Sequence, residues 1–227
     1  MRHGRSLFVA SVLLASAGAR TALAQNQIQN SSFDATMMLA SWTPYASAAP
    51  DPVGTGTGVW DATQDVSMNP LSGSAHVTFA AAPMGGNAAY GIKQCVDLSA
   101  GALQPVMSTT FGTRFEVRTG QTATGGVNTT VDVAFFDTVG CTGNLITGGS
   151  QGKTILMTDL VDNAWGTAEI LSPTFPIMPL ASPQSAEVRL VARRVGSNTD
   201  TLSVFFDAAY LAVNGAVPVT LQSFEAE

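Results

Sequence analysis

The sequence predicts an all-β protein: two antiparallel sheets stacked as a β-sandwich, with a jelly roll as the form. Three observations carry this reading. Apolar and polar residues alternate with a period of two over several stretches, which marks strands buried on one face. Gly- and Pro-rich breakers separate those stretches, with PDPVGTGTG at 50–58, APMGGN at 82–87 and SPTFP at 172–176. Helical periodicity is almost absent after residue 24. Of the 227 residues 45% are hydrophobic but only 11% are charged, against a usual charged share of roughly 25%. Such a chain has enough apolar surface to fold, and must cover itself with Ser, Thr, Asn, Gln and Gly. Eight or more short strands of this kind fit two packed sheets.

The elements follow in order. Residues 27–33 open the domain as a strand. Residues 74–80 (SAHVTFA) follow a turn at Pro70-Leu71-Ser72-Gly73. Residues 88–98 place Tyr90, Ile92, Gln94, Val96 and Leu98 on one face. In residues 107–118, Met107, Thr109, Phe111, Thr113, Phe115 and Val117 form one face, and Arg114, Glu116 and Arg118 lie on the other. A Gly/Thr loop leads to Val131, Val133 and Phe135, alternating with Asp132, Ala134 and Phe136. These two segments are expected to pair as one long antiparallel hairpin. Residues 143–152 are expected to be a loose loop. Residues 165–171 are a weaker strand. Residues 187–195 oppose Val188, Leu190 and Ala192 to Arg189, Val191 and Arg193. Residues 201–213 put Leu202, Val204, Phe206, Ala208 and Tyr210 on one side. After the Asn214-Gly215 turn, residues 216–227 form a further strand or an arm, and Pro218 favours an edge position.

Residues 1–24 have the layout of a secretory signal. Arg2, His3 and Arg5 precede an apolar run from Leu7 to Ala19, and Ala22-Leu23-Ala24 offers a small-x-small cleavage site. The run is too short for a bilayer, which takes about 20 apolar residues, and no second segment approaches that length. The expected mature chain therefore spans residues 25–227, exported to the periplasm, the extracellular space or the cell surface, with its sandwich domain at residues 25–215. Losing Arg2, Arg5 and Arg20 takes the net charge from −6 to −9, leaving seven basic against sixteen acidic residues. That charge opposes nucleic acid and anionic lipid, which recruit basic faces. Cys95 and Cys141 are the two cysteines. In an exported chain such a pair is most simply a disulfide; a metal pair or a catalytic thiol would need further ligands or a histidine base, and His76 is the one histidine left after cleavage.

The order of short motifs adds a resemblance. Asn30-Ser31-Ser32-Phe33-Asp34 precedes Trp42; Ser72-Gly73-Ser74-Ala75-His76-Val77 and Gln94-Cys95-Val96-Asp97-Leu98 follow; then Phe135-Phe136-Asp137 leads to Cys141-Thr142-Gly143, and Val204-Phe205-Phe206-Asp207 begins the last core strand. This pattern, from about residue 27 to about residue 213, resembles the CenC-type carbohydrate-binding modules. The resemblance implies a jelly roll, a polysaccharide or cell-surface glycan as partner, and a structural calcium between Asp34 and Asp207. The family usually has Glu at the first of these places, and calcium wants six to eight oxygens.

A sugar site needs flat apolar faces and fixed polar groups. Trp60, Tyr90, Arg114, Glu116, Asp132 and Phe136 are the candidate carbohydrate-binding residues, with Trp60 balanced between platform and core lid. The charged members also suit plain cross-strand ion pairs. Trp42 and Trp165 are expected in the core, and His76 as a packed or hydrogen-bonded residue. No zincin, Walker or dinucleotide motif occurs. Serine chemistry would have to use His76 as its base, and no motif places a Ser or Asp beside it. The expectation is a non-catalytic binding module; a surface or matrix structural module is the alternative, and a small glycan-active hydrolase a third.

Overall fold

The computed structural model describes residues 25–48, 56–79, 88–101, 103–117, 127–156, 164–171, 182–194 and 202–214. The expected signal, the 82–87 and 172–176 breakers and the arm at 216–227 lie outside these. Ten strands run in the order β1 (Thr43–Ala48), β2 (Gly56–Asp61), β3 (Ser74–Phe79), β4 (Ala88–Asp97), β5 (Thr109–Val117), β6 (Val127–Phe136), β7 (Leu145–Leu156), β8 (Trp165–Leu171), β9 (Ser185–Arg194) and β10 (Leu202–Val213). A 3-10 turn at Val139–Cys141 joins β6 to β7. The strands make two five-stranded sheets, β1-β4-β9-β6-β7 (the front sheet) and β2-β3-β10-β5-β8 (the back sheet). Every pairing is antiparallel. The sandwich and jelly-roll reading of the sequence holds.

The alternation rule explains the core. Ile92 and Val96 of β4, Val131, Val133 and Phe135 of β6, and Ala186, Val188, Leu190 and Ala192 of β9 face inward from the front sheet. Ala75 and Val77 of β3, Phe111 and Phe115 of β5, and Val204, Phe206, Ala209 and Leu211 of β10 meet them from the back sheet. The Cys95–Cys141 disulfide forms, with Cα atoms 6.0 Å apart. It ties the outer surface of β4 to the turn after β6.

Four local expectations are corrected. β5 and β6 are not a hairpin: β5 pairs with β10 and β8, while β6 pairs with β9 and β7. Both are half-buried strands, and alternation alone does not say which sheet a strand joins. Residues 27–33 are not a strand. They are an irregular segment pinned to β10, where Gln27 N donates to Leu211 O and Ala209 N to Ser31 O, with Phe33 fully buried. The segment at 143–152 is not a loose loop throughout: β7 starts at Leu145, opposite Phe136, and after a register break at 146–149 pairs with β6 from Ala134↔Ser150 to Asn128↔Leu156. Finally, β10 changes face midway. Ala208 has φ 47° and the register to β5 slips between Asp207 and Tyr210. The bulge sends Ala209 and Leu211 into the core in place of Ala208 and Tyr210.

Candidate functional site

The six candidate sugar residues do not converge. Trp60 faces inward from edge strand β2, is packed against the core, and its Nε1 donates to Phe33 O at 2.9 Å. It is a lid on the core rather than an open platform. Tyr90 also faces inward, opposite Ala192 on β9, and packs on the core. Arg114 and Glu116 lie on the outer face of the back sheet. Arg114 Nη2 donates to Trp165 O at 3.2 Å, and Glu116 is buried. Asp132 and Phe136 lie on the outer face of the front sheet. One set is thus divided over three surfaces, because residues grouped on a hairpin end up in different sheets. Trp42 is in the core as expected. Trp165 is not: it stands half-buried on the outer back face, opposite Glu116.

The outer front face has a construction of its own. Strand register lines up Tyr45, Gly91, Val191, Thr130 and Thr154 in one row across all five strands. The next row is Thr43, Lys93, Arg189, Asp132 and Gly152. At about 4.8 Å per strand, each row spans about 19 Å. Val191 points outward on this face, yet is fully buried, and Thr130 beside it is 2% exposed. These small residues form a covered floor under the longer polar and aromatic side chains of the face. Two glycines shape it: a Cβ on Gly91 would collide with the Leu190 carbonyl oxygen, and one on Gly152 with the Asp132 carboxylate.

Charge is arranged around that floor. Lys93 Nζ and Arg189 both bind Glu187, at 2.8 Å and 2.6 Å. Burial pushes the Glu187 carboxyl up, but hydrogen bonds from Lys93 and Arg189 outweigh it and hold the group below the ordinary carboxylate value. The Arg189 guanidinium also lies 5.0 Å from the centre of the Tyr45 ring. Arg193 approaches Asp132 at 3.7 Å, beyond hydrogen-bonding distance. Burial raises the Asp132 carboxyl above its usual value despite Arg193 and Arg189 nearby. The Thr130 hydroxyl and Arg193 Nε are buried and have no hydrogen-bond partner among the described residues. Sequence reasoning singled out Asp132 here but missed Tyr45, Thr130 and Arg193 as site residues. The outward alternation of Arg189, Val191 and Arg193 was the available signal; what it lacked was the neighbouring strands.

The two carboxylates of the implied calcium site are differently placed. Asp34 is exposed and caps its own turn: its Oδ1 accepts from Thr36 Oγ1 at 2.6 Å and Thr36 N at 2.8 Å, which lowers its pKa. Asp207 is 1% exposed, and its two oxygens accept from Val66 N and Ala208 N. Burial, with a contribution from the charge of Asp65, lifts it to about 7. Among the described residues no group of three or more His, Cys, Asp or Glu is placed to hold a metal ion. Asp34 Oδ1 serves its own turn, and the acidic neighbour that Asp207 feels is Asp65.

No protein-family model matches the chain, and no curated protein matches it either. Solved structures do. One, described as the structural basis for the promiscuous specificity of carbohydrate-binding modules from the β-sandwich superfamily, aligns over 79% of this chain at 12% identity and a TM-score of 0.53. This chain spans 60% of that one. Another is a Stig cyclase, Fisc, from Fischerella sp. TAU, over 85% of this chain and 98% of its own, at 14% identity and a TM-score of 0.50. At such identities the likeness is one of fold, and the same scaffold is found here with a binding module and with a cyclase. The chain shares the β-sandwich fold of both structures.

Proposed function

We propose that this is an exported binding module whose outer front face holds a segment of extracellular polysaccharide. The observation that carries the reading is the covered floor, where the Thr130 hydroxyl and Arg193 Nε are buried on an outward face without a partner among the described residues. Polar groups of this kind cost stability unless something bonds to them, and the hydroxyls of a sugar can both donate and accept. Tyr45, half-buried at one end of the same row, supplies an aromatic surface for the C–H side of a ring. Asp132, with its raised pKa, is an acceptor or a donor by protonation state. The fold shared with carbohydrate-binding modules and a disulfide suited to an oxidising compartment agree with the reading. No helix among the described residues is long and apolar enough to cross a membrane.

Affinity electrophoresis and calorimetry against a panel of soluble polysaccharides test the proposal. Tyr45→Ala and Arg193→Ala should each weaken binding at least about tenfold, the equivalent of 1.4 kcal/mol, with little change in melting temperature. Binding unchanged in both variants, or no binding to any glycan, removes it. A structural calcium between Asp34 and Asp207 belongs to the proposal, where a cation would offset the Asp207 charge that burial opposes. A melting temperature that is the same in calcium and in EDTA removes that part.

A further inference from the structure

The outer face of the back sheet carries a second chemical constellation. Asp61 is on β2, His76 on β3 and Ser203 on β10, three adjacent strands. In register, Val59 and Phe205 flank His76, Ser203 is opposite Thr78, and Asp61 is opposite Ser74. Asp61, His76 and Ser203 therefore fall on one diagonal across the sheet. His76 Nε2 is 2.5 Å from Ser203 Oγ. Its Nδ1 is 4.0 Å from Asp61 Oδ2. The far side of that carboxylate is fixed, because Asp61 Oδ1 accepts from Thr63 N and Thr63 Oγ1. The imidazole is stacked on Phe205, with centroids 4.2 Å apart and planes 14° apart. Each requirement for an activated hydroxyl has a residue: a nucleophile within hydrogen-bond reach of a base, a base whose plane is held, and a carboxylate on the base's other nitrogen.

We infer that Ser203 is a nucleophile toward acyl esters, with His76 as its general base and Asp61 as the group that orients and steadies His76. The Nδ1–Asp61 separation is longer than a hydrogen bond, as such contacts often are before a ligand is present. Protonation of the ring during reaction draws the carboxylate in. In the first step Ser203 Oγ bonds to the ester carbonyl carbon while His76 Nε2 takes the hydroxyl proton. The bond from that carbon to the alcohol oxygen breaks, and the alcohol leaves with the proton from His76. Water then bonds to the acyl carbon, His76 takes its proton, and Ser203 Oγ leaves and recovers it. One ester and one water give one acid and one alcohol. The neighbour of His76 on this face is Val59, an apolar side chain 48% exposed, which offers the acyl group an apolar contact. Backbone N–H groups in a sheet are committed to the ladder, so the oxyanion must rely on side chains. Losing preorganised donors costs roughly 10²–10³ in rate, so acylation is expected to be far easier to detect than turnover. The inference is independent of glycan binding, which uses the other sheet.

The test is to treat the folded full chain with a fluorophosphonate probe, and separately with p-nitrophenyl acetate, and to map adducts by mass spectrometry. The expected result is a single adduct on Ser203, lost in Ser203→Ala and slowed about 100-fold in His76→Gln, the low end for loss of a general base. Asp61→Asn, on an edge strand and outside the Ser203–His76 contact, should slow labelling while leaving the near-ultraviolet circular dichroism unchanged. No Ser203 adduct on the folded wild-type chain overturns the inference. So does labelling of undiminished rate in both His76→Gln and Asp61→Asn.

Discussion

Asp207→Asn should remove a large part of the pH dependence of stability. Asp207 is 1% exposed, and its carboxyl titrates at about 7 in the folded chain against 3.8 in the open one. The folded state therefore holds a proton that the unfolded state releases. The stabilisation is complete below about pH 4, declines as pH rises, and is gone above about pH 7. At about 1.4 kcal/mol per pH unit the total is roughly 4 kcal/mol. For a domain of this size each kcal/mol moves the melting temperature by roughly 2–4 °C, so the loss is of the order of 10 °C. Asn cannot ionise and has nearly the shape of the protonated acid. Like it, Asn has one good acceptor for the two N–H donors of Val66 and Ala208. The two proteins should thus agree within about 1 kcal/mol near pH 4.5 and separate steadily from there to about pH 7, with the variant the more stable. Other carboxylates pull the opposite way: Glu187 and Asp97 titrate below their ordinary values, and their contributions fade as pH falls. Both proteins share that background, so the assay is the difference between two melting profiles in EDTA. Parallel profiles from pH 4.5 to 7.5 would refute the reasoning. If calcium binds at Asp207, adding it to the wild type should flatten the fall.

Three further outcomes follow from the fold. Replacing Cys95 and Cys141 by Ser opens a loop with a sequence separation of 46; chemical denaturation should show a loss of about 4 kcal/mol on the chain-entropy account. Trp60→Ala should cost about 3 kcal/mol in the same assay, through lost packing and the lost bond to Phe33, yet leave the glycan affinity of the folded fraction unchanged, since Trp60 faces inward. Gly91→Ala should yield little folded protein in a solubility and circular dichroism screen, because the added methyl meets the Leu190 backbone, which cannot turn aside as a side chain can.

The sequence disclosed what period two can disclose. The inward faces of β4, β5, β6 and β9 are those that alternation assigned, and Phe33 and Trp42 are buried together with ring centroids 5.5 Å apart. It could not disclose partners. β5 and β6 each look like half of a hairpin, and only the closing of two separate sheets shows that their solvent faces point in opposite directions. β7 was hidden because LITGGSQGKTIL has few apolar residues, as an edge strand needs on only part of one face. The β10 bulge was hidden because a single residue with φ 47° leaves no mark in the pattern. The candidate site suffered most, since its residues come from β1, β4, β6 and β9, and a site made across strands is a property of register.

A structural module needs only an outer face that is solvated and unobjectionable, and long charged residues over a sheet provide that at little cost. Buried side-chain atoms without a partner among the described residues occur on both outer faces, with Ser74 Oγ and Arg114 Nε on the back sheet. The front face adds an enclosed apolar residue beside its own such atoms. Fully burying Val191 on an outward position requires the neighbouring side chains to stand around it, and Arg189 does so with its charge divided between Glu187 and the Tyr45 ring. The same enclosure removes Thr130 Oγ1 and Arg193 Nε from water without giving them partners among the described residues, a penalty of about 1–3 kcal/mol for each such group. A valine or alanine at position 130 would fill the floor without that penalty, as Ala134 four residues along the same face does. Thr130→Val is therefore the discriminating substitution: a structural face should gain stability and lose nothing, whereas a binding face should gain stability and lose affinity for its glycan.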